Sequence, residues 1–267
     1  YAVMYMIITP DVHINDIFLE QKNRIQFAKE YVKCKVLIVS FRQFLGYYTS
    51  KFFLENGAKE VWFLDISTNP PQKICRFYDS KKNMKYQYSF SKELFSKNMF
   101  DCIIMFEALK HVSNKKNFLI QLNEYLGKNG TLVLSITNKE QSKIFDDMIN
   151  NYDEVNEIPK NNILPILNEI FPKTEVFSQR LISKKELKDK KIGNIIQSIF
   201  LVRGIIGKIF SKIDRKSTFY SSYLQKTMTN INKKTNTSFG SKEEDSFVPK
   251  KYEVGNAPLF YVIVCRK

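Results

Sequence analysis

Several short stretches of this chain are apolar from end to end. Lys-Val-Leu-Ile-Val at 35–39, Val-Trp-Phe-Leu at 61–64 and Cys-Ile-Ile-Met-Phe at 102–106 show almost no polar interruption. Short runs of this kind, rich in β-branched and aromatic side chains, predict strands buried on both faces. Thr-Leu-Val-Leu-Ser-Ile at 131–136 and Leu-Phe-Tyr-Val-Ile-Val at 259–264 predict two more, and 175–181 another. Residues 85–90 alternate instead, as an edge-ward strand does.

Between these runs the apolar period lengthens to that of a helix. Ile17, Phe18, Ile25, Phe27, Ala28 and Tyr31 predict an amphipathic helix over 16–31. A second helix runs through Phe52, Phe53 and Leu54 and stops at Gly57, and a short one over 70–80 begins at Pro70-Pro71. Phe118, Leu119, Leu122 and Leu126 mark a helix over 114–126, followed by a turn at 128–130, and 161–171 suits another helix. Strands that alternate with helices predict an α/β fold, a doubly wound and mostly parallel sheet with helices on both faces. The expected domain is 1–182 together with the last strand, 258–267. Residues 183–257 form an insertion before that strand. Ile192, Ile195, Ile196, Ile199, Val202, Ile205, Ile206, Ile209, Phe210 and Ile213 recur there at helical spacing among lysines and arginines. Gly193, Gly204 and Gly207 interrupt the stripe, and 226–246 is polar enough to be a mobile loop.

Composition narrows this picture. With 43% hydrophobic and 14% aromatic residues the chain has ample material for a core. No apolar run reaches the ~20 residues of a membrane span, and residues 1–10 lack the basic flank and cleavage site of a signal peptide. Cys34, Cys75, Cys102 and Cys265 show no paired spacing, so reduced thiols and a cytoplasmic setting are expected. The net charge of +15 comes from 42 basic and 27 acidic residues. Lysines spread along solvated faces account for it, and nucleic acid is not the expected partner, although recruitment to RNA would show as a steep salt dependence.

The chemistry-bearing positions gather where strands end. In an open α/β sheet a ligand sits beyond the carboxyl ends of the strands, where the strand order switches. Asp65 ends the second strand and is placed to accept hydrogen bonds from ribose hydroxyls, or else to cap the next turn. His111 follows Glu107 by four residues, so the two would share one helical face; His111 is either a general base or a packed structural histidine. His13 lies in an expected loop without a motif. There is no Walker loop, nucleophile elbow, zinc-spaced Cys/His set or EF-hand, and no metal site is expected.

Three segments carry a family resemblance. "RIQFAKEYVKCKVLIVSFRQFLGYYTSKFFLENGAKEVWFLDIS" resembles the opening of class I SAM-dependent methyltransferases, and "FDCIIMFEALKHVSNKKNFLIQLNEYLGKNGTLVLSITNK" resembles their middle. "ILPILNEIFPKTEVFSQ" is similar to the later helix–strand unit of the branch found near glycan-modifying genes. Together they cover roughly residues 14–182 and the last strand. The resemblance implies a Rossmann-like methyltransferase fold and S-adenosyl-L-methionine (SAM) as cofactor. It also implies cofactor contacts from Ser40, Phe41, Arg42 and Gly46 in the loop, from Asp65 and Ile66 after the second strand, from Ser91, and from Phe106. Glycines expected near Ser40, Arg42 and Phe44 are absent and only Gly46 remains; Ile38 and Ser91 stand where acids are expected. The segment "LEQKNRIQFA" resembles one that sets Glu20 and Arg24 over the cofactor pocket, with Gln21 in place of a histidine.

Two readings stay open. In one, Arg42 or Arg24 pairs the methionine carboxylate of SAM and the protein O-methylates a hydroxyl of a glycan, a sugar or another small molecule. In the other, Phe41, Arg42 and Phe44 fill the pocket and the domain is an inactive binding or scaffolding relic. The basic stripe at 192–216 is either a lid on the domain or a peripheral contact with an anionic membrane surface.

Overall fold

The structure is a computed structural model describing residues 12–41, 46–67, 82–91, 94–138, 159–181, 247–255 and 258–267. These fall in one compact unit; residues 144–150 and 182–246 make up a second, which lies outside the described residues. Arg42, Phe44, Cys75, the expected helix over 70–80 and the basic stripe at 192–216 therefore also lie outside them.

Continuous apolar runs become strands because helices cover both faces of the sheet they form. The elements are α1 (Val12–Ala28), a 3-10 turn (Lys29–Tyr31), β1 (Lys35–Ser40), α2 (Gly46–Glu55), β2 (Glu60–Asp65), β3 (Met84–Tyr88) and β4 (Phe100–Phe106). A second 3-10 turn (Leu109–His111), α3 (Lys115–Tyr125), β5 (Leu126–Thr137), α4 (Lys160–Ile170), β6 (Lys173–Leu181), β7 (Lys250–Lys251) and β8 (Pro258–Arg266) follow. The eight described strands lie in the order β3-β2-β1-β4-β5-β8-β6-β7. The pairs from β3 to β5 are parallel; β8 runs antiparallel between β5 and β6, and β7 pairs antiparallel with β6.

Successive residues of β1 face opposite layers. Leu37 and Val39 join Ile103, Met105, Leu132 and Leu134 under Phe118, Leu119 and Leu122 of α3 and Ile163 and Leu167 of α4. Val36 and Ile38 join Val61, Phe63, Cys102 and Ile104 under Phe53 of α2 and Ala28 of α1. Cys102 and Cys265 are buried, and burial pushes both thiols up to about 12, so they act as small apolar groups.

Three expectations need correction. His13 belongs to helix α1, not to a loop. The turn at 128–130 lies within β5: between Phe100↔Leu126 and Cys102↔Thr131 the ladder absorbs three extra residues on the β5 side, with Asn129 at a φ of +65°. The expected insertion ended at 257, yet Lys250 and Lys251 extend the sheet, and a two-residue strand leaves no periodic signal. Among the described residues no helix is long and apolar enough to cross a membrane.

Gly46 opens α2 directly over the sheet. A Cβ there would lie 2.2 Å from the ring of Phe63, which is only 1% exposed. Gly46→Ala is expected to cost about 1–3 kcal/mol, the usual cost of overpacking, read as a lowered urea midpoint with an unchanged slope.

Candidate active site at the carboxyl edge of the sheet

Strands are added in one direction from β1 to β3 and in the other from β4 onward, so the crevice beyond β1 and β4 is the topological switch point. Parallel register sets Ser40 beside Asp65, and Phe106 beside Ser135. Ser40, Phe41, Asp65, Ile66, Phe106 and Glu107 thus come to one edge, as expected from their positions at strand ends.

Asp65 is 1% exposed. Its Oδ1 accepts from the Ser67 amide at 2.9 Å and its Oδ2 from the Tyr86 hydroxyl at 3.3 Å, so the turn-capping role is realised. The Ile66 amide donates to the Ser40 carbonyl, which ties the ends of β1 and β2 together. Ser40 Oγ and Ser67 Oγ are buried on either side of Asp65 with no hydrogen-bond partner among the described residues.

Across the switch point, Phe41 stacks on His111 with ring centroids 3.8 Å apart and an interplanar angle of 11°. His111 ends a 3-10 turn and is exposed, while Glu107 sits in a bend with φ +54°. The shared helical face expected for Glu107 and His111 does not form. Glu107 instead turns into the protein, where its Oε1 meets Arg24 Nη1.

Arg24 is fully buried. Besides Glu107, its Nη1 donates to Ser135 Oγ at 3.1 Å and its Nε to Gln179 Oε1 at 2.8 Å, and its guanidinium lies 4.5 Å from the Phe260 ring and 5.7 Å from Phe106. The carboxylate that Arg24 meets is therefore the protein's own. Burial pushes the Glu107 carboxyl up, but Arg24, Lys110 and His111 outweigh it and hold the group below the usual carboxylate range. One turn earlier on α1, Glu20 pairs with Arg180, whose φ is +57°. Here burial prevails over Arg180, and the Glu20 carboxyl is held above its ordinary value. Gln179 Nε2 closes the network on the Glu20 and Phe247 carbonyls at 3.0 and 2.7 Å.

Two of the expected contact residues have partners within the protein. Gly46 spends its missing side chain on Phe63, and the Ser91 carbonyl accepts from Tyr125 of α3 at 3.3 Å. Gln179, Arg180, Ser135 and Ser67 were not foreseen. A polar residue interrupting the apolar run of β5 was the available signal for Ser135.

Residues 45–164 match the model of a methyltransferase domain family. No curated protein matches the chain. Among solved structures, a SAM-dependent methyltransferase of Thermotoga maritima, described as a possible histamine N-methyltransferase, superposes with a TM-score of 0.53 at 11% identity, covering 96% of this chain and 94% of that one. A SAM-dependent methyltransferase of Archaeoglobus fulgidus gives 0.50 at 11% identity over 94% of each chain. Phosphoethanolamine N-methyltransferase 2 of Haemonchus contortus, solved with S-adenosyl-L-methionine, gives 0.50 at 14% identity over 92% of this chain and 52% of that one. Identities this low speak to the fold, and the family match speaks to the domain. Residues 45–164 match the methyltransferase domain family, and the sheet that carries them has the Rossmann-like fold seen in the SAM-dependent methyltransferase of Thermotoga maritima.

Proposed function

We propose that the domain binds S-adenosyl-L-methionine with its nucleoside end at Asp65 and methylates a hydroxyl of a sugar or another small metabolite. The pair of buried hydroxyls beside Asp65 carries this assignment. Ser40 and Ser67 are each 1% exposed, and neither Oγ has a partner among the described residues. Buried polar atoms are nearly always bonded. Two unbonded ones flanking a strand-end carboxylate suit a nucleoside, whose hydroxyls and ring nitrogens would complete them.

When bound, the cofactor would supply a sulfonium methyl group to the acceptor oxygen. Asp65 would accept from the ribose hydroxyls, with Ile66 and Phe106 as apolar walls. His111, exposed at the crevice, would take the acceptor's hydroxyl proton on a ring nitrogen. Alignment of the two reactants supplies much of the remaining rate. The test is transfer of a labelled methyl group from SAM to a panel of hydroxyl-bearing sugars.

The Phe41–His111 stack favours a second reading, a silent domain, because the ring pair lies across the crevice. Such a stack is worth about 0.5–1.5 kcal/mol, so displacing it weakens a ligand by up to about tenfold. Phe41→Ala is therefore expected to tighten binding of S-adenosylhomocysteine, the demethylated product, by up to about that factor. A silent domain would bind it neither before nor after the substitution.

A further inference from the structure

A carboxylate rotates on a soft torsion. The last side-chain bond of an aspartate has a broad, roughly twofold profile, so one hydrogen bond fixes one oxygen and leaves the plane free to swing. In Asp65 both oxygens are tied, and from different elements. Oδ1 accepts from the Ser67 amide in the turn after β2, and Oδ2 accepts from the Tyr86 hydroxyl on β3. Two anchors set the plane of the group.

The second anchor is itself braced. β2 and β3 pair in parallel with Phe63 opposite Tyr86 and Asp65 opposite Tyr88, so Phe63, Asp65 and Tyr86 share one face of the sheet. The Tyr86 ring stacks on Phe63 with centroids 5.8 Å apart and an interplanar angle of 12°. Phe63 is buried, and Gly46 at the start of α2 sits against its ring. Packing at this position asks only for an aromatic ring, and phenylalanine would stack on Phe63 equally well. The hydroxyl is the part that packing does not require, and it is the part that meets the carboxylate. A half-buried tyrosine on β3 is thus held by its ring and spends its polar tip on Asp65.

We propose that Tyr86 is a positioning residue for the cofactor: its hydroxyl fixes the plane of the Asp65 carboxylate so that the group faces the ribose hydroxyls before the ligand arrives. This rests on the reading of Asp65 as the ribose acceptor. Tyr86 acts through Asp65 and touches no reacting atom. Its contribution is preorganisation, since an acceptor already held in place does not have to be ordered by the ligand.

The test is calorimetric titration of the full chain with S-adenosylhomocysteine. Tyr86→Phe keeps the stacked ring and removes only the hydroxyl. It is expected to weaken the ligand by about five- to tenfold. In an Asp65→Ala background the same substitution should cost no more than about twofold, because the carboxylate it orients is gone. Tyr31→Phe, a hydroxyl removed in the 3-10 turn that precedes β1, should leave the affinity unchanged. Unchanged binding in Tyr86→Phe would overturn the proposal. Tighter binding would do so too, by showing that the hydroxyl competes with the ribose for Asp65. An equal loss in the wild-type and Asp65→Ala backgrounds would also overturn it, since that is the mark of a general packing effect. A wild-type chain that binds no S-adenosylhomocysteine would overturn the Asp65 reading itself, and the proposal with it.

Discussion

Replacing Glu107 with glutamine is expected to destabilise the domain by about 3 kcal/mol in urea denaturation. The substitution leaves the Arg24 guanidinium, which has no solvent exposure, without its counter-charge. Breaking a buried pair from one side costs about 3–5 kcal/mol, and Glu107 retains 22% side-chain exposure, which sets the low end. The companion result separates charge from packing. Arg24→Met/Glu107→Leu is expected to lose less than Glu107→Gln alone, because no unpaired charge remains. Acid titration gives a second readout. The folded carboxyl of Glu107 lies below its unfolded value of about 4.3, so its contribution is present above that pH and is lost as pH falls through the folded value. Glu107→Gln should flatten this acid limb. Glu20 works in the opposite sense: its raised value means a contribution present at acid pH and lost as pH rises through the folded value.

Asp65→Ala is expected to weaken S-adenosylhomocysteine by about a hundredfold, since hydrogen bonds to a charged group are worth about 1.5–3 kcal/mol and the ribose offers two hydroxyls. The same change removes the bonds from the Ser67 amide and the Tyr86 hydroxyl, so a stability loss of about 1–2 kcal/mol should accompany it. Asp65→Asn keeps the acceptor for Ser67 and removes the charge. It should recover most of the stability and little of the affinity. Calorimetric affinities set beside urea midpoints separate the two effects.

The fold was legible where its determinants are local. Val36 to Val39 reads as a strand because both faces are covered, which removes any need for polar alternation. Asp65 reads as a site residue because its strand stops there. Other features depend on partners far along the chain. Arg24 finds Glu107 across 83 residues and Gln179 across 155, and periodicity carries no such pairing. The left-handed backbone at Glu107 and Arg180 is equally silent, since neither is a glycine or asparagine. Gly46 was expected at the cofactor because a glycine in that loop has two explanations. The closeness of the Phe63 ring supplies the packing explanation, and only coordinates show it. The stacking of Phe41 on His111 likewise joins residues that are far apart in the sequence, one after β1 and one after β4, and neighbours in space.

A nucleoside can close the gap left by two unbonded serine hydroxyls only if there is room for it beside Asp65. Calorimetric titration of the wild-type chain with S-adenosylhomocysteine addresses this most directly. Saturable one-to-one binding in the range of about 1–100 μM, with a concentration-dependent rise in melting temperature, is expected. No heat and no shift at millimolar ligand would contradict cofactor binding at this edge and leave a methyltransferase-like sheet with its crevice closed.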